Sequence, residues 1–153
     1  MSQPDVLALL DSEGVEYGVT HHEPVTTSEA AAAVRGVDLN TGAKAMVVKG
    51  REGFALAVLA GDRKVDWKLL APLVGKSPRF ATAEELQELT GLSKGAVPPF
   101  GRLFGLRTIY DESLLDVERV NFNAGSHTDS ISMRREDMIR IGGGEVASFS
   151  TGV

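Results

Sequence analysis

Lys44 stands in Thr41-Gly-Ala-Lys-Ala-Met-Val-Val48, a lone cation at the entrance to an apolar run. A lysine among small apolar residues can hold a phosphate or carbonyl oxygen beside exposed backbone. Desolvation can also lower its pKa and make it a base or a Schiff-base nucleophile. The plainer alternative is a strand lysine that snorkels to water. A second candidate is Ala124-Gly-Ser-His-Thr128, between two apolar runs. Its glycine lets a ligand approach the backbone. Ser126 and His127 are sequence neighbours, which alone does not supply the hydrogen bond that a nucleophilic serine needs. His127 reads equally as an ordinary hydrogen-bonded turn histidine. His21 and His22 diverge if they lie on a strand, so no metal site is expected there. No phosphate-loop or dinucleotide fingerprint occurs, and neither a metal nor a cofactor is expected.

The third candidate is Gly91-Leu-Ser-Lys-Gly95-Ala-Val-Pro98-Pro99-Phe-Gly101, with three glycines and two adjacent prolines. The prolines fix φ and lack N–H groups, so neither a helix nor a central strand runs through them. A loop this stiff between regular elements is either a binding loop or a rigid connector.

These residues need elements to position them. Val6, Leu7, Leu9 and Leu10 have helical spacing over Asp5 to Glu13, and Val15 to His21 alternates as a strand. Thr26-Thr-Ser-Glu29 has the spacing of a capping box before Ala30 to Val34. Ala43 to Val48 and Phe54 to Leu59 read as paired strands joined by a glycine turn. Asp66 to Leu73 reads as a helix that Pro72 ends or kinks. A short strand is expected near Pro78 to Ala81. Thr82-Ala-Glu-Glu85 opens a further helix that stops near Gly91. Leu106–Tyr110, Arg119–Asn123 and Ser130–Met133 are strand candidates, followed by a short helix from Arg134 to Ile141 and a turn at Gly142 to Gly144. The pattern predicts one α+β domain over residues 1–153, with a curved, mostly antiparallel or mixed sheet and short helices.

The 153-residue chain can bury a real core without staples. It has no cysteine, which excludes disulfides, thiolate metal sites and a cysteine nucleophile. No signal peptide or membrane span is evident, so the cytoplasm is the expected location and no membrane partner is expected. The net charge of −5 argues against a general nucleic-acid or DNA binder. Its distribution is uneven. Residues 44–107 hold eleven bases and six acids, whereas residues 1–43 hold one base and seven acids. The basic middle reads either as solvated surface or as one polyanion-contacting face.

Lys44 in its small-residue strand, the Gly95-to-Gly101 loop and Gly125-Ser126-His127 occur in a fixed order. Together they resemble the YbaK/ProX family of aminoacyl-tRNA deacylases over nearly the whole chain. Within it the pattern looks most like the ProXp-ala branch, free-standing proteins that remove alanine mischarged onto proline tRNA. The resemblance implies a substrate in the acceptor end of mischarged tRNA(Pro) and a transient partner in prolyl-tRNA synthetase. It implies catalysis by Lys44 and His127, assisted by the terminal 2′-hydroxyl of the tRNA. Gly95, Pro99, Gly101, Gly125 and Ser126 are implied as substrate-binding positions. Lys44 would hold the phosphate or carbonyl side, loop amides near Gly95 and Gly101 would orient the 3′ end, and His127 would meet the substrate amine or shape the pocket. Deacylation of Cys- or Ser-tRNA is the alternative within the same chemistry. A non-catalytic tRNA- or synthetase-binding module is the alternative outside it.

Overall fold

A computed structural model of the protein describes residues 3–152. The chain begins with α1 (Gln3–Ser12), β1 (Tyr17–His21) and α2 (Ser28–Arg35). The expected Thr26–Glu29 capping box does not form. Thr27 is the N-cap, and its side chain accepts from Ala30 N at 3.1 Å. The cap lies one residue later than the spacing predicts because Thr27 also offers a hydroxyl three residues before a backbone N–H.

The chain continues through β2 (Ala43–Gly50), β3 (Gly53–Ala60) and β4 (Arg63–Val65). α3 (Trp67–Val74), β5 (Arg79–Phe80) and α4 (Ala83–Thr90) follow. Pro72 is inside α3, but only two residues before its end, so the helix runs on to Val74. Thr82 and Glu85 do form the second capping box. Beyond the glycine–proline segment lie β6 (Arg107–Asp111), β7 (Arg119–Asn123) and β8 (Asp129–Arg134). α5 (Arg135–Gly142), β9 (Glu145–Ala147) and β10 (Ser150–Gly152) complete the described chain. Among the described residues no helix is long and apolar enough to cross a membrane.

The architecture is α+β with mixed pairing. β5-β2-β3-β6-β9 form a five-stranded sheet, in which β2 is antiparallel to β3 and to β5. β3–β6 and β6–β9 are parallel. β1-β8-β7 form a separate antiparallel sheet, and β10 pairs with β4. Three strands, β4, β9 and β10, are too short and polar for alternation to reveal them. β3 is buried on both faces. Leu56 and Val58 join the larger core with Val47, Tyr110, Phe122 and Ile131. Ala55, Ala57 and Leu59 join a second core with Leu70, Ile109 and Phe149.

The second half of the glycine–proline segment belongs to this interior. Residues Ala96 to Gly101 are buried. The Tyr110 hydroxyl donates to the Pro99 carbonyl at 2.7 Å, and Gly101 N–H donates to Thr108 Oγ1 at 2.9 Å. A Cβ on Gly101 would overlap both Thr108 Oγ1 and the Leu106 carbonyl. Gly101→Ala is therefore expected to lower stability by about 1–3 kcal/mol, the usual cost of overpacking. Urea denaturation of the variant checks this. An unchanged midpoint would remove the packing role.

Candidate active site

The site follows from an incomplete strand pairing. β2 pairs with β3 along its whole length, but with β5 only at Val48 and Lys49. Ala81 N–H then caps the Val47 carbonyl at 2.9 Å. The Gly42 carbonyl, by contrast, accepts from Gly61 N–H on the β3 side. Backbone groups alternate sides along a strand, so those of Ala45 point to the open edge, as do those of Val47. A cavity of about 460 Å³ occupies that edge. Its walls come from β2, α2, α4 and the segment Leu92 to Val97. Small residues contribute much of the lining, Ala31 and Ala32 on α2, Ala43 and Ala45 on β2, and Gly42 and Gly61, beside larger ones such as Leu39, Met46, Leu86 and Phe122.

Lys44 lines this cavity, half-buried. Among the described residues its ammonium makes no hydrogen bond or ion pair. Burial pushes its pKa below the ordinary lysine value, with Glu29 and Asp62 pulling part of the way back. Arg35, a second lining cation, ends α2. Burial lowers its pKa to about 10, which leaves it charged near neutrality. Among the described residues no carboxylate pairs with it. Its Nε donates to Ser130 Oγ at 2.8 Å and its Nη2 to Asn123 Oδ1 at 3.1 Å. Two half-buried cations without acid partners suit an oxygen-rich or anionic ligand.

The glycine–proline segment reaches the cavity only through its first half. Lys94, Gly95 and Val97 line it, whereas Pro99 and Gly101 do not. Gly95 has φ +88°, a left-handed backbone that favours glycine. Its carbonyl accepts from Asn123 Nδ2 at 2.5 Å. Gly125, Ser126 and His127 lie behind this wall rather than in it. Gly125 N–H donates to the Ala96 carbonyl at 3.0 Å. His127 Nε2 donates to the Lys94 carbonyl at 2.8 Å. Ser126 Oγ donates to Asp129 Oδ2 at 2.8 Å. That bond joins Ser126 to a carboxylate, not to a histidine base. The three elements thus converge, with the Gly125–His127 turn bracing the segment that faces Lys44.

Arg35 and Asn123 were not among the residues singled out in the sequence. Arg35 had one available signal: it is the only base in residues 1–43, set among alanines. Asn123 had none, because its role depends on reaching Gly95 from a different sheet.

The sequence pattern of the aminoacyl-tRNA editing domain matches residues 22–141. The chain belongs to this family of aminoacyl-tRNA deacylases. It is similar to the multifunctional Ser/Thr-tRNA deacylase ProXp-y of Escherichia coli (strain K12), with 36% identity over 150 residues covering 94% of this chain and 90% of that protein. It is also similar to the prolyl-tRNA editing protein ProX of Acetoanaerobium sticklandii, 28% identical over 144 residues covering 89% of this chain and 87% of that one. A crystal structure described as a candidate trans-editing enzyme for prolyl-tRNA synthetase superposes with a TM-score of 0.87 at 29% identity, covering 98% of this chain and 97% of that one. The editing family is an ester-hydrolase family, and its match spans Lys44, Gly95 and His127 alike.

Two predictions follow from this geometry. A charged, desolvated lysine without a hydrogen bond costs folding free energy. Lys44→Met is expected to raise the denaturation midpoint at neutral pH. The advantage should shrink as pH rises, because the lowered folded pKa lets Lys44 lose its charge before an unfolded lysine does. Denaturation at a series of pH values checks both the sign and the trend. His127→Ala is expected to speed amide exchange over Gly95–Val97, since one hydrogen bond holding that wall, worth about 0.5–1.5 kcal/mol, is lost. Unchanged exchange there would detach His127 from the wall.

Proposed function

We propose that the protein acts in trans on mischarged tRNA, hydrolysing the ester between a small amino acid and the terminal ribose, with alanine on tRNA(Pro) as substrate. The observation that carries this reading is the unpaired Lys44 ammonium beside the open edge of β2. It provides positive charge and backbone donors around one small-walled space. Lys44 holds the phosphate or carbonyl side of the aminoacyl end. The Ala45 amide supplies a fixed donor along the same edge, where negative charge develops on the carbonyl oxygen. Water, directed by the ribose 2′-hydroxyl, adds to the carbonyl carbon. The bond to the ribose oxygen breaks, and that oxygen takes a proton. The protein contributes position and electrostatics rather than a nucleophile. His127 and Gly125 act by holding Lys94 and Ala96 in place, Ser126 by fastening their turn to Asp129, and Pro99 and Gly101 by anchoring the same segment in the core.

The alanines and glycines of α2 and β2 that line the cavity support the reading of a small side chain as substrate. A pocket too tight for proline corrects an error that a synthetase cannot prevent by binding, since one methylene is worth only about 1–3 kcal/mol. A second reading, removal of serine or threonine, is favoured by the similarity to ProXp-y. Thr26, Thr27 and Asn121 along the cavity offer partners for a substrate hydroxyl.

The test is a panel of Ala-tRNA(Pro), Pro-tRNA(Pro), Ser-tRNA and Thr-tRNA. Alanine release is expected to exceed proline release. Lys44→Ala should lower it about 10²–10³-fold, the scale of losing one preorganised charge-stabilising group. Faster release of serine or threonine would replace alanine with a hydroxy amino acid. Release no faster than in buffer for every member would overturn the deacylase reading. Binding without turnover would then leave a tRNA-binding module.

A further inference from the structure

Phe80 sits where a folding role alone does not place it. It is 44% exposed, although it is a large aromatic residue. It lines the cavity from β5, a strand of only two residues on the sheet edge. Its position is nevertheless fixed. Phe80 pairs with Val48 across β2, and Trp67 at the start of α3 packs edge-on against its ring, with centroids 4.7 Å apart and planes at 73°.

The ring shares its cavity with two cations, Lys44 and Arg35, neither of which has a salt-bridge partner among the described residues. Arg79 is held by Glu85 through two hydrogen bonds of 2.7 and 3.1 Å. Lys49 lies opposite Arg79 in the strand register, so both project to the face away from Phe80, where the Lys49 ammonium sits 5.0 Å from the centre of the Phe54 ring. Arg51 and Lys76 meet where the β2–β3 turn abuts the segment after α3, through Arg51 N–H to the Lys76 carbonyl at 3.2 Å. Lys49, Arg51 and Lys76 have no salt-bridge partner among the described residues. The acids nearby are Glu52 on the turn and Glu84 and Glu88 on α4, all exposed. A positioned aromatic surface on a cavity that also holds cations without acid partners is a combination that binds single-stranded nucleic acid, the base stacking while the charges meet phosphate or carbonyl oxygens.

We propose that Phe80 is the stacking platform for the 3′-terminal adenine of the tRNA, at the rim of the cavity whose inner end holds the aminoacyl group. This rests on the deacylase reading. It adds a subsite and assigns Trp67 the role of holding the platform. Stacking at the rim fixes the terminal ribose, and with it the ester, relative to Lys44.

The test uses an uncharged, labelled RNA stem with a single-stranded CCA end and a copy with an abasic 3′-terminal residue. Binding is read by fluorescence anisotropy. Wild-type protein is expected to prefer the intact end by about 5–150-fold, the range that one base–aromatic stack supports. Phe80→Ala should erase the preference, and Phe80→Tyr should keep it. Trp67 is the only tryptophan, so its emission should change with the intact RNA and not with the abasic one. Equal binding of both RNAs by wild-type protein, no binding of either, or an undiminished preference in Phe80→Ala would each overturn the proposal. Because no ester is present, this outcome is separable from the mischarged-tRNA panel. A base preference that depends on Phe80, without hydrolysis, would sink the deacylase reading alone.

Discussion

The register of the β2–β3 hairpin is the constraint on which the rest depends. Gly50 faces Gly53 at the turn, and Lys44 faces Leu59 near the far end. Both faces of β3 are buried, so neither strand can slide without moving apolar residues out of one core and into the other. A slip of one residue would exchange the faces of β2 and carry Lys44 away from its cavity. A desolvated lysine is costly to hold, and the hairpin holds it because the alternative registers cost more.

The same hairpin leaves the opening that becomes the site. β5 is long enough to cover only Val48 and Lys49. Asn121 of β7 bridges Gly42 at the start of the strand, and between these two contacts the β2 edge faces α2 and the Leu92–Val97 segment. Open strand edges are ordinarily a hazard, since they invite pairing with other chains. Here helices and the glycine–proline segment cover the edge, which turns a row of backbone groups into the lining of an enclosed space. Chemistry that relies on placement and charge is suited to such a lining, because backbone donors need no reorganisation.

Polar bonds from a helix, two strands and a turn hold the far wall against the near one. Arg35 reaches from α2 to Asn123 on β7, and Asn123 reaches on to the Gly95 carbonyl. His127 and Gly125 bind the adjoining carbonyls of Lys94 and Ala96. Pro99 and Gly101 are fastened in the core by Tyr110 and Thr108. The segment is therefore held at Lys94 to Ala96 and again at Pro99 and Gly101, with its exposed first half at the cavity. Selectivity between small amino acids requires this stiffness, since a wall that yields by a methyl group would admit the larger substrate.

The α+β class, the helices, most of the strands and the three segments that meet at the site were all legible in the sequence. Apolar spacing, capping hydroxyls and turn glycines are local signals, and Lys44 is conspicuous as a charge among small residues. The short strands β4, β9 and β10 were not legible, because three residues carry no period. The shift of the α2 cap from Thr26 to Thr27 was a choice between equivalent hydroxyls made by backbone geometry. The division of the glycine–proline segment was also hidden. Composition marks the whole stretch as rigid, but only packing decides that Lys94 to Val97 meets the cavity while Pro99 and Gly101 face the core. Arg35, Asn123 and Phe80 join the site through contacts across elements distant in sequence. Local chemistry specified which residues could act; the tertiary fold decided which of them share one space, because convergence depends on long-range register rather than on any nearby residue.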